Sequence, residues 1–438
     1  MSDATTSDCV PGTSARPVDV SERVALLDVL RGFALWGVFI SNSFAWFSGN
    51  ALLPRAQAES LVEPPLEAVV NGLYYFFVNQ KFITLFSVLF GLGFSIQLAR
   101  AEARKSSIVP LYCRRLGVLL SIGVVHAFAL WFGDILAIYA VLGFALLLFR
   151  QRSNRTVLTW ALVLLVGLPL LAPIVRHYGH SLLHRGQAVV RVARAGDEVD
   201  VRERGLLLEG LSSGSFWTTQ AANAHFVTYV MPQPQRLLWM ARILGRFLLG
   251  LLAGRLLLLQ DVERHRSLFR RLLVWGLVLG VLGNGVGVVV QRLRLADLVD
   301  PTKDTWMLAM PAIAEVGFMA LTAAYVAIFA LLFQREQWHR VMQVLAPVGR
   351  MALTNYLLQT VVSLCLYDGW GLGLIGKLPL SHCVALTTFI FALQIPFSHA
   401  WLSRFRFGPV EWLWRSLTYG QWQPLRLAPR EAPAPAMN

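Results

Sequence analysis

Charge is scarce in this chain. Only 15% of its 438 residues are Asp, Glu, Lys or Arg, against roughly 25% in a soluble domain. With 56% apolar residues, this excludes an ordinary water-soluble globule. Acidic residues are scarcer than basic ones, 25 against 39, leaving a net charge of +14. On a soluble chain that excess would point to nucleic acid. Here the bases gather between apolar stretches, so they read as orientation signals and no nucleic-acid partner follows. Cysteine is nearly absent: Cys9, Cys113, Cys365 and Cys383 are scattered without ligand spacing. Neither a disulfide framework nor a zinc or other metal site follows from them. The chain also lacks recurring ten-residue alternation of apolar and polar residues, which argues against a barrel. It lacks a cleavable secretory signal, so the first apolar run is expected to stay as an anchor. No internal repeat divides it into homologous halves.

What is there is a series of ten apolar stretches, near 24–46, 74–98, 111–131, 135–149, 157–175, 237–259, 272–290, 307–333, 348–366 and 380–401. About 20 such residues span a bilayer as a helix. The expected class is therefore all-α: a polytopic membrane protein of about ten transmembrane helices. Residues 1–21 and 424–438 are expected to be disordered tails. Two five-helix regions, 22–175 and 237–423, flank an outer loop at 176–236, expected to form a partly helical cap. The run Phe407 to Tyr419 is short, aromatic and mixed with charge, which suits an interfacial helix. Gly276, Gly280, Gly283 and Gly287, like Gly250 and Gly254, recur at spacings that let helices approach closely.

Basic residues set the orientation. Arg100, Arg104, Lys105, Arg114 and Arg115 fall on one side. So do Arg150, Arg152 and Arg155; Arg264 to Arg271; Arg335 to Arg350; and Arg404 with Arg406. If ten helices alternate, this side is the cytoplasm and holds both termini of a bacterial inner-membrane protein. Membrane lipids are then partners by necessity. Oligomeric state stays open, a homo-oligomer included.

The few polar residues inside the spans carry the functional information, because an ion at membrane depth is costly. Asp28 and Arg31 share a face of the first span, and Asn42 falls nearly in register three turns on. Lys81 either snorkels to the surface, binds an anion or pairs with Asp134. His126 and Asp134 lie across a tight turn, the residue types of a general base and the carboxylate that orients it. Glu315 must be paired or protonated. Arg350, Thr354, Asn355 and Gln359 line one side of the ninth span. His177, His180 and His184 have a spacing that permits a metal, with no carboxylate or cysteine to complete it.

The run from Leu27 to Asn42 resembles the opening helix of the YeiB family of bacterial membrane proteins. So do Lys81 to Gly93 and His126 with Gly133 to Ala140. Gly349-Arg-Met-Ala-Leu-Thr-Asn-Tyr356, Gly371 to Gly373 and Phe407 to Tyr419 resemble that family's domain of unknown function. The family is similar to a wider group of transmembrane acyltransferases, including heparan-α-glucosaminide N-acetyltransferase and the acyltransferase 3 family. The resemblance implies transfer of an acyl group from cytosolic acyl-CoA, as cosubstrate, to a small-molecule, glycan or lipid-linked acceptor at the outer face. One departure matters: the acyltransferase 3 pattern has a His where this chain has Asn42. His126 would then supply the base and Asp134 would orient it. Arg31 or Asn42 would stabilise oxyanion charge. Asp28, Lys81, Glu315 and Asn355 are candidates for substrate contact. Arg100, Arg104, Lys105, Arg114 and Arg115 would hold the CoA phosphates. A proton-coupled transporter or flippase, with Asp28, Arg31, Asp134 and Glu315 as a relay, is the rival expectation; a non-enzymatic membrane partner is the third.

Overall fold

A computed structural model describes residues 25–54, 57–58, 65–105, 107–183, 187–295, 298–299 and 305–427. The expected tails at 1–21 and 428–438 lie outside them, as do the side chains of His177, His180 and His184. The helices, in chain order, are α1 (Ala25–Asn42), α2 (Pro65–Leu73), α3 (Lys81–Ala103), α4 (Val109–Ala129), α5 (Leu136–Leu147), α6 (Asn154–Leu162) and α7 (Leu168–Leu183). They continue as α8 (Gln187–Leu211), α9 (Phe216–Val230), α10 (Pro234–Arg255), α11 (Arg266–Leu295), α12 (Met310–Phe333) and α13 (Glu336–Gln343). Last come α14 (Ala346–Arg350), α15 (Ala352–Tyr367), α16 (Leu380–Leu402) and α17 (Pro409–Tyr419). Among the described residues no strand forms beyond one isolated bridge, Phe405 with Arg426.

Eight helical runs are long and apolar enough to cross a membrane, and the shorter apolar helices Leu136–Leu147 and Ala352–Tyr367 join them in the bundle. The chain is an all-α, multi-pass membrane protein. Its arginine-bearing turns gather at one end of the helices; α8 and α9 form a hairpin at the other, the cap end. Residues 176–236 are thus largely helical. Asp200 pairs with Arg204 at 2.8 Å within α8, and Glu203 reaches His225 of α9 at 2.8 Å.

One boundary differs from expectation. The second span begins at Lys81, not at residue 74. Tyr74–Val78 closes α2 as a π-helical turn, and Gln80 takes φ 67°, a left-handed conformation that breaks the helix. Lys81 therefore starts a helix.

Glycine decides the close contacts. A Cβ on Gly283 would lie 2.8 Å from the Gly317 Cα, and one on Gly250 would lie 2.0 Å from the Val88 carbonyl oxygen. Gly287 meets nothing within 4 Å, so the small-residue stripe on α11 packs over only part of its length. At Gly349 a Cβ would sit 1.8 Å from the Asp28 carbonyl oxygen. That approach presses α14 against the start of α1.

The C-terminal motif is a reciprocal cap. Glu411 of α17 accepts the Leu353 and Thr354 N–H groups at 2.7 and 3.0 Å, satisfying the open start of α15. The Thr354 hydroxyl donates to Glu411 and accepts the Val410 N–H at 3.1 Å, capping α17 in return. Burial pushes the Glu411 carboxyl above the usual carboxylate range; these hydrogen bonds pull it back in part. Residues 424–427, expected in the tail, pair instead: Arg406 N–H meets the Leu425 carbonyl at 2.8 Å.

Candidate functional site

Helix α4 ends where the His126 carbonyl accepts both Leu130 and Trp131 N–H, at 3.0 and 2.8 Å. The chain then turns through Gly133 and Asp134 into α5. The two helices touch at Gly123, where a Cβ would lie 2.2 Å from the Ala137 nitrogen. This contact lays the start of α5 beside the last turns of α4. It brings Asp134 Oδ2 within 2.8 Å of His126 Nδ1, while Oδ1 accepts the Ala137 N–H at 2.7 Å. The carboxylate is thus fixed twice: as helix cap and as imidazole partner.

The other ring nitrogen, Nε2, lies 3.1 Å from the Thr360 hydroxyl of α15. Asp134 accepting from Nδ1–H leaves Nε2 as the acceptor for Thr360. When His126 gains a proton, Nε2–H donates instead. Thr360 can then turn its hydrogen to the Tyr356 carbonyl, 3.3 Å away. All three side chains are buried. The imidazole is flanked by the Tyr356 ring at 5.3 Å and the Trp131 ring at 6.4 Å. On the cap side, Asn223 of α9 holds the Ala127 carbonyl at 2.9 Å, tying the cap to the end of α4.

A cavity of about 440 Å³ opens at the arginine-rich end and narrows inward. Arg100, Arg104, Arg115, Arg350 and Arg415 stand around its mouth with the Asp28–Arg31 pair. Its wall is apolar: Leu35, Val38, Leu116 and Leu119. It reaches Tyr139 and Tyr356, and His126 lies directly behind the Tyr356 ring. The α17 helix forms part of the mouth. Arg115 lies over the Trp414 ring at 4.0 Å, and Arg415 over the Phe407 ring at 4.7 Å.

Other residues singled out from sequence have different places. Lys105 and Arg114 lie at the same end but do not line the cavity. Asn42 is half-buried and away from it, because eleven helical residues carry it about 16 Å from Arg31. Leu35 and Val38 interrupt the polar stripe between them. Lys81 neither snorkels nor meets Asp134. It is fully buried, donates to the Tyr75 carbonyl at 2.7 Å and faces the Phe318 ring at 4.7 Å. Asn355 points to α16, bonding Ser398 Oγ at 3.0 Å and the Val348 carbonyl at 3.3 Å. Glu315 is paired: Arg246 holds its Oε1 at 2.8 and 3.1 Å, and Arg242 stands 3.5 Å from Oε2. Lys81, Asn355 and Glu315 are thus committed to helix contacts instead of the cavity.

Thr360 and Tyr356 escaped the sequence reading, which followed the other side of the ninth span. The available signal was hydroxyls at 356, 360, 363 and 367, which recur at helical spacing. Arg242 and Arg246 were also passed over, although four residues apart in an apolar span they demanded an acidic partner.

Residues 253–421 match the family described as protein of unknown function (DUF418). The chain is similar to YeiB of Escherichia coli, described as an uncharacterized protein: 29% identical, covering 91% of this chain and 96% of the relative. It is similar to YxaH of Bacillus subtilis, also described as uncharacterized, at 35% identity over 94% of this chain and 98% of the relative. The chain belongs to the YeiB family. A third YeiB-like relative, a 39.9 kDa protein encoded in an amylase 3′ region of Bacillus acidopullulyticus, is 28% identical over 94% of this chain and 98% of its own length. No solved structure matches. In this YeiB-family chain the DUF418 match contains Glu315, Tyr356, Thr360 and Glu411, and begins after His126 and Asp134.

At the cap end, Asp368 follows α15 in a loop joined to the cap by Gly369 N–H to the Leu211 carbonyl, 2.8 Å. Asp368 is buried, with Trp370 Nε1 donating to it at 3.2 Å. Burial pushes its carboxyl up from 3.8 to about 7; the Trp370 bond opposes this. The folded chain therefore holds one proton more than the unfolded chain between pH 4 and 7. Stability present at low pH is lost as pH rises through this window, by at most about 1.4 kcal/mol per pH unit. Thermal melts in detergent are expected to lose part of this slope in Asp368→Asn. An unchanged slope in the variant would contradict the assignment.

Proposed function

We propose that the protein transfers an acyl group from acyl-CoA to a hydroxyl or amine of a glycan or lipid-linked acceptor. One observation carries this: a cavity with a ring of arginines at its mouth ends against Tyr356, directly in front of a His–Asp pair. The arginine-rich end is the cytoplasmic one, as expected from the charges of the loops. Arg100, Arg104, Arg115 and Arg415 meet the CoA phosphates with charge-assisted hydrogen bonds. The apolar wall of Leu35, Leu116 and Leu119 accommodates the pantetheine arm. The thioester lies at the blind end near Tyr356.

Thioesters are already activated, so the protein supplies orientation, a base and oxyanion stabilisation. His126 Nε2 takes the nucleophile's proton, and Asp134 steadies the resulting imidazolium. The acceptor approaches from the cap end, where α8 and α9 cover the reacting groups. Arg31, paired to Asp28 near the mouth, contributes to donor binding and not to the oxyanion.

The test is CoA release by the purified protein, given acetyl-, succinyl- and palmitoyl-CoA with lipid and glycan acceptors. Arg100→Gln/Arg104→Gln is expected to raise KM for the donor about tenfold, the loss of one charge-assisted contact, with kcat little changed. No CoA release from any donor, or an unaltered KM, would count against the proposal.

A further inference from the structure

The acceptor's hydroxyl is not the first nucleophile the thioester can meet. We infer that Thr360 is a nucleophile and that the acyl group passes through it as an ester on the protein. This rests on the acyl-CoA function proposed above and adds a covalent step to it.

Three observations carry the inference. Thr360 Oγ1, His126 and Asp134 form a continuous hydroxyl–imidazole–carboxylate chain, with links of 3.1 and 2.8 Å. That is the arrangement that activates a weak hydroxyl nucleophile, and it is recognised by geometry and not by fold. The carboxylate is locked from behind by the Ala137 N–H at 2.7 Å, which fixes the imidazole's direction. Thr360 also stands one helical turn beyond Tyr356, the residue that closes the cavity. A thioester at the blind end needs only displacement of the Tyr356 ring to reach the Thr360 hydroxyl. The donor enters at the arginine-rich end, while the cap closes the other. A covalent relay between the two lets donor and acceptor react without sharing one cavity.

The steps balance without an oxidant or reductant. Thr360 Oγ1 attacks the thioester carbonyl carbon as its proton passes to His126 Nε2. The C–O bond forms, the C–S bond breaks, and His126 returns the proton to the departing sulfur, which leaves as the CoA thiol. In the second step an acceptor hydroxyl or amine attacks the Thr360 ester and gives its proton to His126. The ester C–O bond to Thr360 breaks, and His126 reprotonates Oγ1.

The full-length protein in detergent is mixed with acetyl-, succinyl- or palmitoyl-CoA, without acceptor, and quenched rapidly in acid. Intact mass and peptide mapping are expected to show one acyl group on the peptide holding Thr360. Thr360→Ser keeps the hydroxyl and is expected to be acylated; Thr360→Val keeps the shape and is expected not to be. An acyl group that persists on that peptide in Thr360→Val overturns the inference. So does an unmodified wild-type protein that releases CoA only when acceptor is added, which leaves the acyl-CoA function standing. A wild-type protein that is neither acylated nor releases CoA overturns both.

Discussion

His126→Ala is expected to lower the turnover of acyl-CoA by about 10²- to 10⁴-fold, the usual contribution of a positioned general base. His126→Gln keeps a hydrogen-bonding side chain of similar reach but cannot shuttle a proton, so it is expected to fall as far. Asp134→Asn tests the partner. An amide can accept the Ala137 N–H, as the carboxylate does now, but cannot stabilise an imidazolium. Its turnover is expected to drop comparably while the α5 cap survives. Steady-state rates across pH separate the two. The variants of His126 lose the limb of the profile that reports the base, and Asp134→Asn moves it to lower pH. Full turnover in His126→Gln would remove His126 from the chemistry.

The second large effect is on stability. Arg246 is fully buried and holds Glu315 through two hydrogen bonds. Arg246→Met leaves Glu315 buried with only half-exposed Arg242, 3.5 Å away. Breaking a buried ion pair on one side costs about 3–5 kcal/mol. Replacing both partners with apolar residues is often close to neutral. Arg246→Met/Glu315→Leu is therefore expected to recover most of the loss, read as resistance to thermal or denaturant unfolding. A single variant as stable as the wild type would show that the pair does not hold α10 to α12. This pairing also weakens Glu315 as a member of a proton relay, since its carboxylate is already committed.

The apolar runs made the helices legible in sequence, because a bilayer leaves so few solutions for an unpaired backbone. The His126–Asp134 contact was legible too, since only a tight turn separates the two. Contacts between distant segments were not. Nothing local to Glu315 names Arg246 as its partner across 69 positions, and nothing near Asn355 says that it faces α16 instead of the cavity. Helical period gives a residue's face, but tertiary packing decides what that face meets. Lys81 shows the same limit. Its depth followed from the span, but the break at Gln80 that turns it onto the Tyr75 carbonyl is a backbone event with no glycine to announce it. The reciprocal cap of Glu411 and Thr354 was hidden for another reason. Each half looks like an ordinary polar residue until the two helix starts meet.

The most direct measurement is a cryo-EM map of the protein with a non-hydrolysable thioether analogue of acetyl-CoA. Phosphate density is expected among Arg100, Arg104, Arg115 and Arg415, with the thioether sulfur beside Tyr356 and within reach of Thr360 and His126. Density for the analogue elsewhere on the molecule, with lipid tails filling the cavity between Leu35 and Leu119, would contradict it.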